Sequence, residues 1–256
     1  MATPHAQSWY GWRPDTPDPR DRLYATIARP PRRLPARVDL RRWFPRAENQ
    51  GSIGSCTAHA LVASLEYLEV RAGRPLRHLS RLFVYYNARV LEGTAATDDG
   101  AMIRNGVKTL VKQGVCAETL WPYRVRRFAE PPPPPCYTAA AAHQVLSYHR
   151  VHGLTEMRQC LAEGFPFVFG LTTYAAFESP QVARTGRVEL PRRGEEEKGA
   201  HSVCAVGYDD RAGRFLIRNS WGADWGRRGY CTVPYAYLAN PRRASDFWTL
   251  RSIEGA

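Results

Sequence analysis

Gln50-Gly51-Ser52-Ile53-Gly54-Ser55-Cys56 puts a side-chain amide six residues before a cysteine, and apolar residues follow at Ala58, Leu61, Val62, Leu65 and Leu68. The small, turn-prone residues before Cys56 and the helical spacing after it predict a helix that opens at Cys56 and stops near Gly73. At that position the unpaired backbone N–H groups and the positive end of the helix dipole favour a thiolate. Such sites lower a cysteine pKa from about 8.5 to between about 3.5 and 7.5. Taken alone, Cys56 also reads as a small buried core thiol, since free cysteines are among the most buried residues. Two distant segments decide between these readings.

The first, Gly199-Ala200-His201-Ser202-Val203-Cys204-Ala205-Val206-Gly207-Tyr208, is a glycine-flanked histidine leading into an apolar strand that ends in the turn at Asp209-Asp210. The second, Arg214-Phe215-Leu216-Ile217-Arg218, is another strand and delivers Asn219-Ser220-Trp221-Gly222. A hairpin joining them brings His201 and Asn219 close, so that a base and its orienting amide are held on rigid backbone. His201 lies 145 residues beyond Cys56, within the Cys…His…Asn spacing of papain-type enzymes.

On these residues the chain resembles the papain-like cysteine peptidases. Gln50-Gly51 with Gly54-Ser55-Cys56, His201 before its strand, and Asn219-Ser220-Trp221-Gly222 followed by Trp225-Gly226 and Gly229-Tyr230 match the family's three active segments. Leu34-Pro35-Ala36-Arg37-Val38-Asp39-Leu40-Arg41 is similar to the usual start of a mature enzyme. The resemblance implies an α+β fold of two lobes, one helical and one a β-barrel, with the active site in the cleft between them. It implies that Cys56 attacks a peptide carbonyl, His201 handles the proton, Asn219 orients His201, and Gln50 with the Cys56 N–H binds the oxyanion. Trp221 would shield the His–Asn bond from water; Gly100 and Ala200 would line the substrate channel, although Gly100 also reads as a plain loop glycine. Ala175, Ala176 and Phe177 are weaker pocket candidates. Where the family has a disulfide cysteine near Gly51, this chain has Ser52 and Ile53; Thr57 replaces the aromatic residue that commonly follows the nucleophile, and Ala200 a common Asp or Asn.

With 256 residues, 44% apolar and 23% charged, the chain is neither disordered nor a small disulfide scaffold. The order of elements divides it into an N-terminal extension (1–33), a mainly helical lobe (34–140) and a mainly β lobe (141–256). Helical runs are expected from Leu79 to Leu91, Ile103 to Gln113 and Leu154 to Glu163, and strands at 165–171, 202–208, 214–218 and 230–233. Pro131 to Pro135 reads as an extended linker. No apolar run is long enough to span a membrane, and the N-terminus lacks an apolar signal stretch, which places the protein in the cytoplasm or exports it by another route.

The formal charge is +12, and nearly all the bases are arginine. No phosphate loop or nucleic-acid module accompanies them, so the basic surface reads as solvated and no nucleic acid is expected; the resemblance implies a polypeptide substrate as partner, and a monomer is expected. Cys-x-x-Cys spacing is absent, and neither a metal nor a cofactor is expected. If Cys56 stays free, the other five cysteines cannot all pair; Cys204 and Cys231 read as core, and Cys116 with Cys136 is one possible bridge. The extension contains Trp9, Tyr10, Trp12 and three aspartates among prolines. It resembles a short propeptide lying across the cleft; the alternative is a segment packed on the surface for stability. Beside hydrolysis, a Cys-dependent acyl transferase and a non-catalytic binding module on the same scaffold are the other readings.

Overall fold

The helix that opens at Cys56 is buried along nearly its whole length, from Cys56 to Glu69, because other elements cover every side of it. The structure is a computed structural model describing residues 10–29 and 33–253; Trp9 and residues 30–32 lie outside the described residues. In chain order the strands are β1 (Trp12–Arg13), β2 (Arg37–Asp39), β3 (Ala101–Met102), β4 (Val145–Arg150), β5 (Phe167–Tyr174), β6 (Glu197–Asp209), β7 (Arg214–Arg218), β8 (Tyr230–Pro234) and β9 (Ala244–Ile253). The helices are α1 (Cys56–Arg71), α2 (Arg81–Glu92), α3 (Ile103–Lys112), α4 (Pro134–Ala140), α5 (Gly153–Ala162), α6 (Pro180–Thr185) and α7 (Tyr235–Leu238).

Local chemistry sets these boundaries. Ser80 caps α2 by accepting from the Phe83 N–H at 3.1 Å, and Gly93, at φ 73°, closes it in the left-handed region. The proline run departs from the expected extended linker, because Pro134 and Pro135 form the first turn of α4. Proline is tolerated there, since those N–H groups have no partner within the helix.

Leu61, Leu65, Leu82, Phe83, Val107 and Leu110 form the core around α1, α2 and α3. The second core, with Phe167, Phe169, Phe215, Ile217 and Trp225, belongs to an antiparallel sheet in the order β4-β9-β5-β6-β7-β8, with β2 added on β6. The thirteen-residue β6 is its spine: residues 197–205 pair with β5, and residues 204–209 turn to pair with β7. Together the helices and the mostly antiparallel sheet give the α+β, two-lobed fold. Cys56 belongs to the first core and Trp221 to the second, so the seam runs between them.

All six cysteines are buried free thiols. Cys116 and Cys136 are hydrogen-bonded neighbours, and burial, then Cys136, pushes the Cys116 thiol up to about 12. Cys204 and Cys231 lie in the core.

Candidate active site

Ser55 precedes α1 at the N-cap, but its hydroxyl bonds to Tyr123 Oη at 2.5 Å rather than capping the helix. Tyr123 in turn donates to the Gln50 carbonyl at 2.7 Å, fixing the turn that carries Gln50 against the helix start. Across the seam, Gln50 N donates to Ser220 O at 2.9 Å and Ser220 Oγ to Gln50 Oε1 at 2.6 Å. Gln50 Nε2 donates to Ile53 O at 3.0 Å. The amide is therefore held from both lobes.

His201 stands on β6 opposite Leu171 of β5. Its Nε2 lies 2.8 Å from Asn219 Oδ1, which also accepts from Ser220 N at 2.8 Å. The Ser220 N–H fixes which end of the amide faces the imidazole, so His201 Nε2 carries the hydrogen and donates it. Nδ1, buried and without a hydrogen-bond partner, is left as the basic nitrogen. Cys56 Sγ accepts from Ser202 N, the residue after His201, at 3.4 Å. The Trp221 ring lies 5.1 Å from the His201 ring, with Phe177 packed edge-on against Trp221 at 5.3 Å. The chain thus brings Cys56, His201, Asn219, Gln50 and Trp221 together, although they are scattered over 172 positions.

Gly100 and the extension meet beside Cys56. Gly54 N donates to the Asp98 carboxylate at 3.0 Å, tying the nucleophile turn to the loop that carries Gly100. Trp12 and Arg13 pair in parallel with Ala101 and Met102, and Ala101 N donates to Gly11 O at 2.8 Å. Gly11, Gly54 and Gly100 touch backbone to backbone: a Cβ on Gly11 would lie 1.9 Å from Gly54 O, and one on Gly100 2.0 Å from Gly11 O. Such distances are far inside contact, so only glycine fits. The Trp12 indole covers the bare backbone of Gly170, while Tyr10 packs on Gly199 and edge-on to His201 at 6.0 Å, its hydroxyl donating to Glu178. Ala200 is half-buried against the first core.

This cover inverts the expected electrostatics. Cys56 is fully buried, and desolvation raises its thiol to about 11 despite hydrogen bonds from Ser202, Gly11 and Thr57. Burial lowers His201 to about 4, against the raising effect of Asn219. Burial of both groups thus opposes the low cysteine pKa expected from the helix N-terminus, since it disfavours the thiolate and the imidazolium alike.

Sequence reasoning missed Gly11, Asp98 and Tyr123 as parts of this site. The cluster Tyr10-Gly11-Trp12 in a proline-rich segment was a signal that the extension is ordered, yet nothing local gives its parallel register with residue 101. Among the described residues no group of His, Cys, Asp and Glu could hold a metal ion, and no helix is long and apolar enough to cross a membrane.

Comparison with known proteins identifies the family and the fold. An uncharacterized peptidase C1-like protein of Acanthamoeba polyphaga mimivirus is 39% identical over 215 residues, covering 80% of this chain and 69% of the viral protein. The crystal structure of xylellain, a cysteine protease from Xylella fastidiosa, superposes with a TM-score of 0.88 at 37% identity, covering 99% of this chain and 100% of that one. The bromelain protease of Ananas comosus, at 22% identity and a TM-score of 0.67 over 86% of this chain and 100% of its own, shares the fold. Residues 34–239 match the papain family of cysteine proteases; the chain belongs to that family and is a papain-like cysteine protease.

Proposed function

We propose that Cys56, His201, Asn219 and Gln50 carry out peptide-bond hydrolysis and that the N-terminal segment restrains it. The observation behind this reading is the His201–Asn219 bond at 2.8 Å beside Cys56, with Gln50 held from the same Ser220. The Cys56 sulfur adds to the carbonyl carbon as its proton passes to His201 Nδ1. Gln50 Nε2 and the Cys56 N–H donate to the resulting oxyanion. The imidazolium protonates the leaving amine as the C–N bond breaks, leaving a thioester. A water then gives its proton to His201 and attacks the thioester, releasing the acid and restoring the thiol. Trp221 keeps water from the His201–Asn219 bond, and Gly100 offers bare backbone to an extended polypeptide.

Tyr10 to Arg13 occupies the strip that such a polypeptide needs, so substrate and extension compete. In this reading the extension is an inhibitory propeptide, and residues 34–140 and 141–256 are the two working lobes of a monomer acting on polypeptide. The test is mass spectrometry of a mixed peptide library incubated with wild type and with Cys56→Ala under reducing conditions. Cleavage that Cys56→Ala loses by about 10⁴-fold or more is expected. Cleavage retained by Cys56→Ala refutes the assignment, and joined rather than cleaved products would make the chain an acyl transferase.

A further inference from the structure

The two donors proposed for the oxyanion, the Gln50 amide and the Cys56 N–H, sit on different turns of the chain. A line of hydrogen bonds joins those turns. Tyr123 Oη lies 2.7 Å from the Gln50 carbonyl and 2.5 Å from Ser55 Oγ, which in turn lies 3.3 Å from His59 Nδ1. His59 Nδ1 is also 3.1 Å from the Ser55 carbonyl, and its ring stands edge-on to Tyr123 at 4.9 Å. Gln50 and Ser55 are fully buried, and His59 is nearly so.

Donor rules assign every hydrogen in this line. A carbonyl only accepts, so the Tyr123 hydroxyl donates to Gln50 O, and the Ser55 hydroxyl must then donate to Tyr123. Ser55 has no hydrogen left for His59. Nδ1, which faces Ser55 O as well as Oγ, therefore carries the hydrogen and donates to both. The donors all point one way, from His59 to Gln50, an arrangement in which each bond polarises the next. Burial, then Arg81, lowers His59 to about 3, and burial raises the Tyr123 hydroxyl, so both stay uncharged at neutral pH.

Each end of the line acts on one donor. Ser55 O and Cys56 N share a peptide plane, which His59 holds through Nδ1 and through its backbone N, also at 3.1 Å. At the other end Tyr123 fixes the Gln50 carbonyl, while Gln50 N donates to Ser220 O at 2.9 Å. The backbone from which the Gln50 amide projects is thus held on both sides. Glu118 fixes Tyr123 in turn by accepting from its N–H at 2.5 Å. We infer, given the oxyanion roles proposed for Gln50 and Cys56, that His59 and Tyr123 are positioning residues for peptide hydrolysis, setting the Cys56 N–H and the Gln50 amide relative to each other through Ser55. Such placement matters when charge develops on the substrate oxygen. It does not alter the reactivity of the sulfur itself.

The test compares two reactions of Cys56 in the full chain carrying Gly11→Val, whose Cβ would lie 1.9 Å from Gly54 O and so displaces the strip over the sulfur. Hydrolysis of a peptide amide develops an oxyanion; alkylation by iodoacetamide, in which the sulfur displaces iodide from carbon, does not. Tyr123→Phe and His59→Leu are each expected to lower kcat by about tenfold, short of the roughly 10²–10³ for losing a donor outright. KM and the alkylation rate should stay within about twofold. His59→Asn, which keeps a donor at the place of Nδ1, is expected to recover most of the loss. Because Tyr123 acts through Gln50, Gln50→Ala with Tyr123→Phe should be no slower than Gln50→Ala alone. Losses that multiply, or alkylation that falls along with kcat, would overturn the proposal. A Gly11→Val chain that is alkylated but does not hydrolyse would instead refute the hydrolytic reading. Ring-nitrogen NMR of the unmodified chain tests the line by itself: a neutral His59 with its hydrogen on Nδ1 is expected at pH 7, and a hydrogen on Nε2 overturns it.

Discussion

Two halves of the extension are held in opposite ways. Tyr10 to Arg13 lies over Cys56 through a two-residue parallel bridge, three meeting glycines and two aromatic rings. Asp15 to Arg29 is fastened by ions and core. The Asp15 carboxylate takes Arg150 at 2.6 Å, Trp248 Nε1 at 2.8 Å and Arg104 N at 3.1 Å. Asp21 pairs with Arg104 at 2.6 Å, and Tyr24 is fully buried in the second core. Removing the first half is expected to uncover the site, whereas removing the second is expected to cost fold stability. The two readings of the extension, a cover over the cleft and a segment packed for stability, therefore make separate predictions for these two stretches.

The strongest way to separate the halves is Gly11→Val. With a Cβ only 1.9 Å from Gly54 O and no side chain there to move aside, the strip has to leave. Labelling of Cys56 by a thiol reagent at pH 7 should then rise by about 10³-fold or more, since an excluded backbone contact exceeds the roughly 1.4 kcal/mol of each tenfold step several times over. The melting temperature should change little, because Asp15 to Arg29 stays in place. Unchanged labelling would mean that the strip does not guard the thiol.

Asp15→Ala acts on the other half. It removes the buried carboxylate from Arg150 and Trp248, while Arg150 keeps Asp246 and Asp21 at 3.1 Å. A cost of about 3 kcal/mol, the lower end for breaking a buried pair, is expected in denaturant unfolding. If Asp15→Ala exposed Cys56 as fully as Gly11→Val, the halves would be one cooperative unit and the distinction would fail.

The same contrast explains what the sequence made legible. Cys56, His201, Asn219 and Gln50 belong to short segments whose order and spacing carry their meaning, and α1, α2 and α3 follow from apolar periodicity bounded by Gly73, Gly93 and Gly114. β4 and β9 escaped notice because neither keeps a regular alternation along its length: β4 has only two buried residues, β9 buries Asp246 and then Trp248, Thr249 and Leu250 in a row, and both carry bulges in their pairing. The encounter of Gly11 with Gly100 joins residues 89 positions apart through backbone alone. No side-chain pattern encodes it, and only the folded chain reveals why those residues are glycine.

Acid should split the halves further. His201 sits near 4 under the cover against an ordinary value near 6.5. A depressed base stabilises the covered state above pH 6.5, and that stability is lost as pH falls from 6.5 toward 4, at about 1.4 kcal/mol per unit. Cys56, raised to about 11 from 9, favours the cover below pH 9 and loses that contribution as pH rises from 9 to 11. Asp246, whose carboxyl is raised by burial and by Asp15, has the opposite sense to His201. Its contribution favours the folded state at low pH and is lost as pH rises. Labelling of Cys56 by a pyridyl disulfide should be slowest between pH 6.5 and 9 and quicken on either side, whereas a flat profile would show that the strip stays on whatever the charge of His201.

The smallest effect belongs to the joint between the halves. Arg13 pairs with Glu92 at 3.1 Å and is 39% exposed, while Glu92 is nearly buried. With its guanidinium open to solvent on one side, the pair is worth about 1 kcal/mol, the upper end for surface pairs. Glu92 also accepts from Met102 N at 2.8 Å and Asn105 Nδ2 at 3.1 Å, so losing Arg13 does not strand its carboxylate. Arg13→Gln should therefore raise Cys56 labelling by no more than about fivefold and leave unfolding unchanged. A rise as large as that of Gly11→Val would move the hold on the strip from the glycine contacts to this one ion pair. The cover would then respond to salt, because screening weakens an exposed pair and leaves backbone contacts as they are.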